Sequence, residues 1–525
     1  MLSSVENVIL PLSAAQREIW FAEQKLDPRN RVYKIGEYVE ICGPVDPVSF
    51  ETALRRVVCE ADSLRVRIVE RPEGPGQVVD AFLDWLLPVV DVSGEADPRK
   101  AALDWMTADV SRPMDLTRGP LFSYALIKSG ADRFWWYQGY HHIVMDGFGL
   151  SLVARRVADV YTALAHGRPC EEKTFGSLRQ LLDCDVIYRA SERFTQDRAY
   201  WLDRFSDRPE PTGIAGRSSG APESFVHQTA WLSQPDADRL RVTARRAKVP
   251  WSLIMIAATA VYVHRLTGAQ DVVVDLPVTA RQDPISESVP ATVSNVLPLR
   301  LSVRPDMSLS RLLRQTMQEV REVLAHQRYR GEDLYRDLGL RSRIGTYFAP
   351  TINVMSFDYN LRFAGHRSTT HNVAGGLVDN LSIAIWDRKE ESGLRLDWHA
   401  HPEVCSQHEL AAHQRRFLVL LEAIAATDPD QPVGRIDILS TAERCQLLID
   451  WNNTAVAVPP ITLPELFEQQ VTHTPDDTAV IDGDTTLTYT QLNTRANRLA
   501  HALIERGIGP EHIVALALPR ATNMI

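Results

Sequence analysis

The sequence predicts an α/β (α+β) protein built as two successive lobes with a shorter segment behind them. Three observations lead there. The run 134–140 is dominated by aromatic residues, which suit a pleated and buried strand, and residues 151–164 follow it with apolar side chains at helical spacing. The stretch 207–222 is rich in Pro, Gly and Ser and reads as a linker, after which the α/β style repeats. At 525 residues, finally, the chain is too long for one core.

The elements follow in chain order. Ser13 is placed to cap a helix, with Gln16 positioned to reach back in a capping box. A strand at 38–41 and a helix at 48–60 come next, and 121–127 is a strand suited to pair with 134–140. Residues 175–205 read as helical. Beyond the linker, 240–267 reads as a helical pair jointed at Pro250, 271–278 as an apolar strand followed by Arg281, and 393–398 as a strand. Ser406 then caps a long helix to Ala426. Past 428–432 the character changes, with a helix at 491–506 and a strand at 513–518. These patterns divide the chain into 8–205, a linker at 206–222, 223–440, and a remainder at 441–525.

Composition excludes several function classes. A formal charge of −10 argues against a nucleic-acid binder, which needs a basic face. No stretch approaches the ~18 uninterrupted apolar residues of a membrane span, and the N-terminus lacks a signal-peptide pattern, so a cytoplasmic protein is expected. The six cysteines are too scattered for C-x-x-C chemistry. His399-Ala-His401 has no accompanying carboxylate or Cys motif and is not read as a metal site.

The chemistry concentrates on His141-His142-Ile-Val-Met-Asp146-Gly147, where the aromatic strand meets its helix. Adjacent strand residues point to opposite faces, so one histidine is expected to be structural and the other functional. Asp146 can hold the turn by accepting backbone N–H groups or by pairing with an Arg. Gly147 permits close backbone approach.

The string H-H-x-x-x-D-G resembles the signature of condensation domains of nonribosomal peptide synthetases, within the chloramphenicol-acetyltransferase-like superfamily. Other stretches resemble the same family in its order. These are Leu12-Ser-Ala-Ala-Gln-Arg-Glu-Ile-Trp20, then Ala61-Asp-Ser-Leu-Arg-Val-Arg-Ile68, then 293–298 around Asn295, then 326–329 opening on His326, then 347–357 containing Asn353. The second of these has Ala-Asp where many members have His-Glu, a variant similar to the opening domains of enterobactin-type siderophore synthetases. Residues 447–454 resemble the join to an adenylation domain, and 466–492 the start of one. The phosphate-binding loop such a domain needs is not in the sequence. One complete condensation domain and an adenylation fragment are therefore expected.

The resemblance implies two chloramphenicol-acetyltransferase-like lobes in a V-shaped pseudo-dimer with a central tunnel. It implies amide formation between a donor acyl, aryl or peptidyl thioester and the amine of an acceptor aminoacyl thioester. Both would be carried on phosphopantetheine arms of partner carrier proteins, an upstream donor and a downstream acceptor, with no cofactor bound by the domain itself and a monomeric state. It assigns the catalytic role to His142, structural roles to His141 and Asp146, an inter-lobe pair to Asp146 and Arg281, and backbone approach to Gly147. Asn295, His326 and Asn353 become substrate-side candidates. The alternatives are a coenzyme-A-dependent acyltransferase, for which D-F-G-W-G is missing; an epimerase, which would follow a carrier domain; and a catalytically silent docking platform.

Overall fold

The computed structural model describes residues 8–24, 33–170, 172, 175–210, 213–214, 226–340, 350–355, 361–375, 381–387 and 393–525. Most of the linker at 207–222 and parts of 347–357 lie outside the described residues. The chain divides into two compact units, 1–442 and 443–525.

Two six-stranded sheets organise the larger unit. The aromatic strand, Arg133–His141, lies inside the first, antiparallel to Lys34–Cys42 on one side and to Phe122–Gly130 on the other. Central placement explains its composition: of its nine residues only Arg133 is exposed. Trp136 packs edge-on to Phe50 of the helix Pro47–Glu60 on one face. Trp135 stacks on Tyr38 on the other. The sheet directs this strand toward the helix Gly147–Ala165.

The second sheet runs in the order Asn295–Ser302, Asp271–Val278, Thr351–Met355, Leu381–Trp386, Leu394–Ala400, Val226–Leu232. One of its faces is apolar and covered by helices. Ile352, Ile383, Ile385 and Trp398 belong to the core it shares with Trp251–Thr267 and Gln407–Ala426. Among the described residues no single helix is long and apolar enough to cross a membrane.

Capping chemistry sets the helix starts as read from the sequence. Ser13 with Gln16, and Ser406 with Glu409, form full capping boxes. The helical stretch 175–205 is broken into Leu178–Arg189 and Glu192–Arg204, because Ser191 caps a new helix.

The packing departs from contiguous lobes in two places. Trp201, on the helix Glu192–Arg204, and Phe205, just past its C-terminal end, sit in the second core rather than the first. In the opposite direction, Arg362–Phe363 and His366–Gly375 leave the second sheet and complete the first, where His366–Gly375 pairs with Lys34–Cys42. Boundaries at 205 and 223 therefore do not separate the two cores: each holds a piece of chain from the other side of the linker. The reason is hydrogen bonding. An edge strand with no partner leaves a row of unpaired backbone groups, and His366–Gly375 covers that edge of Lys34–Cys42.

In the smaller unit, Thr478–Asp482 and Thr485–Thr488 form a hairpin beside the helices Leu463–His473 and Tyr489–Glu505. The expected strand at 513–518 is irregular, with Ile513 98% exposed. An apolar, β-prone run forms a strand only where another strand completes its ladder, and no described strand lies along it.

Candidate active site

The aromatic strand ends at His141, and the chain turns through His142 to Asp146 before the helix Gly147–Ala165 begins. Ile143, Val144 and Met145 are fully buried between these elements. Burying such a side chain is worth roughly 1.5–3 kcal/mol, so the turn is anchored by its middle.

The two histidines have different surroundings. His141 is buried; its Nδ1 accepts from the Ile143 N–H at 3.2 Å, which leaves Nε2–H to donate to Glu23 at 3.2 Å. His142 lines a cavity of about 970 Å3 between the two sheets. Its backbone is fixed, with N–H donating to the Tyr33 carbonyl at 2.7 Å and C=O accepting from the Thr292 hydroxyl. Its side chain is not: Nδ1 is buried without a hydrogen-bond partner in good geometry, leaving Nε2 to serve the cavity. Burial pushes the imidazole pKa below its usual value of 6.5. The Asp146 charge and weak contacts to the backbone of His142 and Met145 favour the charged form without offsetting burial. The lowered pKa leaves the His142 ring neutral at pH 7.

Asp146 is 1% exposed and caps the following helix. One oxygen accepts from the Gly149 N–H at 2.7 Å, and the other from Val293 and Ser294 N–H, both at 2.9 Å. Arg281 closes the carboxylate at 2.8 and 3.0 Å. Burial alone would raise this carboxyl's pKa. The Arg281 charge and the three backbone donors outweigh it and hold the group below the usual Asp value. Arg281 also donates to the carbonyls of Ser286 and Ala291, so it ties the second sheet's loops to the His loop. Ala280, just before it, adopts a left-handed φ of 53°, a conformation costly for a residue with a Cβ.

Gly147 lines the cavity at the helix N-terminus, and a Cβ there would meet Met355 Cε at 3.4 Å. Asn353 lines the same cavity from the second sheet. Asn295 does too, but its amide is spoken for. It donates to the carbonyls of Gln327 and Tyr329 and accepts from the Val296 and Gly331 N–H groups, all within 3.1 Å. Its geometry is that of a structural clasp. His326 is not brought to the cavity. It pairs with Asp197 at 2.7 Å and stacks on Tyr200 at 3.9 Å, holding the helix Glu192–Arg204 against the second core. As a substrate-side residue it is therefore corrected: the turn after Leu309–Ala325 aims it at that helix.

One strut was missed in the sequence. Buried Arg330 forms an ion pair with Glu18 and donates to the carbonyls of Val293 and Ser294 at 3.1 and 2.8 Å. The two residues stand 312 positions apart, and no local pattern links them. The departure in the second motif also has a structural role. Asp62 pairs with Arg65 and accepts from the Leu178 N–H at 3.1 Å, while the Ser63 hydroxyl donates to the Pro290 carbonyl.

Comparison with known proteins places this geometry. Residues 6–448 match the condensation-domain family, and residues 467–525 match the AMP-binding enzyme family. A dimodular nonribosomal peptide synthase of Bacillus subtilis is 48% identical over 98% of this chain. Enterobactin synthase component F of Shigella flexneri is 31% identical over 98%. The chain spans only 22% and 40% of those two relatives' lengths. Among solved structures, the starter condensation domain of rhizomide synthetase, in complex with C8-CoA and Leu-SNAC, superposes with a TM-score of 0.77 at 42% identity. That match covers 82% of this chain and 98% of the other. The first condensation domain of the calcium-dependent antibiotic synthetase superposes with a TM-score of 0.76 at 36% identity, over 82% of this chain and 99% of the other. Fold, His loop and sequence agree: the chain belongs to the condensation-domain family of nonribosomal peptide synthetases, followed by part of an AMP-binding domain.

Proposed function

We propose that this chain joins a donor acyl, aryl or peptidyl thioester to the amine of an acceptor aminoacyl thioester, forming an amide and releasing the donor thiol. The observation that carries the reading is a half-buried, neutral His142 facing a 970 Å3 cavity between two sheets clamped by Asp146 and Arg281. A thioester is already activated, so the demand on the protein is positioning and proton management. Holding both substrates in line can supply about 7–11 kcal/mol. The Nε2 lone pair of His142 accepts the amine's proton or hydrogen-bonds the attacking nitrogen. Asp146 and Arg281 fix the loop that presents it, and His141 supports the loop from behind through Glu23. The Gly147 N–H at the helix N-terminus faces the place where the thioester oxygen gathers charge.

In this reading residues 8–440 form a V-shaped pseudo-dimer, and the cavity is the middle of a tunnel. Upstream donor and downstream acceptor carrier proteins dock at its opposite mouths and send in their phosphopantetheine arms. Asn353 is a substrate-side residue. Residues 441–525 are a linker and the opening of an adenylation domain. The test is amide formation with both carriers loaded: product that requires both thioesters supports the reading, and carrier binding without product would make the domain a docking platform instead.

A further inference from the structure

Asn353 apart, the mechanism leaves one polar wall of the cavity without a use. Along the second sheet, alternate residues face away from the helix-covered core, because side chains alternate across a strand. Ile352, Ile383 and Trp398 point into the core; Asn353, Ser382 and His399 line the cavity. Register sets Thr351, Ser382, His399 and His227 side by side across four strands. Two steps away, Met355 and Trp386 share another row, and it is Met355 that approaches Gly147. Four residues of strand separate Met355 from Thr351, about 13 Å, and His399 stands two strands further across, so it lies roughly 16 Å over the sheet from the end that approaches the His loop.

His399 is held but not consumed. Its ring stacks on His227 at 4.5 Å between centroids. His227 lies 3.7 Å from Asp397, which also accepts from Thr229 at 2.7 Å and from Arg395 at 3.0 Å. Neither ring nitrogen of His399 makes a hydrogen bond among the described residues. His401, two residues on, is accounted for differently: it is buried and its Nδ1 accepts from the Glu403 N–H at 3.0 Å. His399-Ala-His401 is therefore no paired ligand set, and the described residues hold no cluster suited to a metal.

We propose that His399 is a substrate-recognition residue, whose imidazole hydrogen-bonds an amide or hydroxyl group on the thioester-bearing chain roughly 16 Å from the His loop. The inference rests on the condensation reading above. Two sources carry that chemistry: a polar group on the acyl chain itself, or an amide of the pantetheine arm. Burial first, and the nearby His227 second, push the His399 pKa down to about 4. At pH 7 the ring is neutral and offers one donor and one acceptor, which suits an amide or a hydroxyl and disfavours a bare carboxylate. In so enclosed a setting, an apolar group placed against it would strip its nitrogens of partners.

The test uses three proteins, wild type, His399→Phe and His399→Gln, in single-turnover amide formation. Phe keeps the ring stacked on His227 and removes both nitrogens; Gln keeps hydrogen bonding. Donors are a plain fatty acyl group and its hydroxylated counterpart of equal length, each presented on the carrier protein and as an N-acetylcysteamine thioester. Loss of roughly tenfold in His399→Phe, the size of one hydrogen bond, with recovery in His399→Gln, is the expected result. If the loss follows the hydroxylated donor in both presentations, the partner is on the acyl chain. If it follows both carrier-bound donors and spares the truncated ones, the partner is the pantetheine arm. Rates equal to wild type with all four substrates, or an equal loss with all four that Gln does not restore, overturn the proposal. Should His399→Phe fail to fold, His399→Leu takes its place under the same criteria. Wild-type protein that forms no amide with any donor overturns the condensation reading instead.

Discussion

Asp146 and His142 stand four residues apart on one loop, Asp146 buried in its interior and His142 half-buried at the cavity wall. Asp146 has three backbone N–H donors and an arginine around its two oxygens. His142 has a fixed backbone and a side chain whose buried nitrogen finds no partner in good geometry. Desolvation acts on both, disfavouring each charged form. For Asp146 the partners win and the group stays ionised. For His142 nothing comparable opposes burial and the ring stays neutral. The contrast separates architecture from chemistry: a group with every site filled holds the loop in place, and a group with a site left open is ready for substrate.

Substitutions can break that contrast or sharpen it. His142→Ala should reduce single-turnover amide formation by about 10²–10⁴-fold, the usual contribution of a general base, and melt near wild type. A variant with the wild-type rate would remove His142 from the reaction. Asp146→Ala should do the reverse and unfold the protein more easily, by roughly 3–5 kcal/mol, because Arg281 is left buried without its counter-charge. The double variant Asp146→Ala/Arg281→Ala should be less destabilised than the two singles added together, and strict additivity in denaturant melts would show no coupling. Asn295→Ala should cost about 1–3 kcal/mol by leaving buried backbone groups without partners, with a smaller effect on rate than His142→Ala. A deficit in rate without one in stability would return Asn295 to the substrate side.

The smallest expected effect is on acid stability. His399 titrates at about 4 in the folded chain against an ordinary value of 6.5. Between those values the unfolded chain binds more protons, so this group's contribution to stability is lost as pH falls from 6.5 toward 4. Asp146, whose pKa is lowered, acts in a different window: its contribution is present above the ordinary Asp value of 3.8 and lost as pH falls below it. Melts of His399→Phe across pH 6.5 to 4 should therefore show a shallower loss than wild type. Parallel curves would mean that the histidine protonates alike in both states.

What the sequence made legible was local. Ser13 with Gln16 and Ser406 mark their helix starts within four residues of chain. The aromatic strand announces burial on both faces by composition alone. The H-H-x-x-x-D-G string was legible because its residues share one turn. What failed depended on distant partners or on side-chain direction. His366–Gly375 looks like any short strand until Lys34–Cys42, over 300 residues earlier, provides its edge. Trp201 does not declare which core it enters. Arg330 meets Glu18 only through the fold. His326 occupies its motif position, yet motif order carries no information on where a ring points, and Asp197 claims it. The run at 513–518 has strand composition but no described strand beside it.

The central claim is that His142 works as a neutral imidazole, and the pH dependence of single-turnover amide formation tests it most directly, with both carriers loaded and saturating. Burial lowers the His142 pKa, so the wild-type rate should fall on the acid side with a midpoint below 6.5, and His142→Ala should lose that limb along with most of the rate. A limb that persists unchanged in His142→Ala, or a wild-type midpoint above 6.5, would contradict the account.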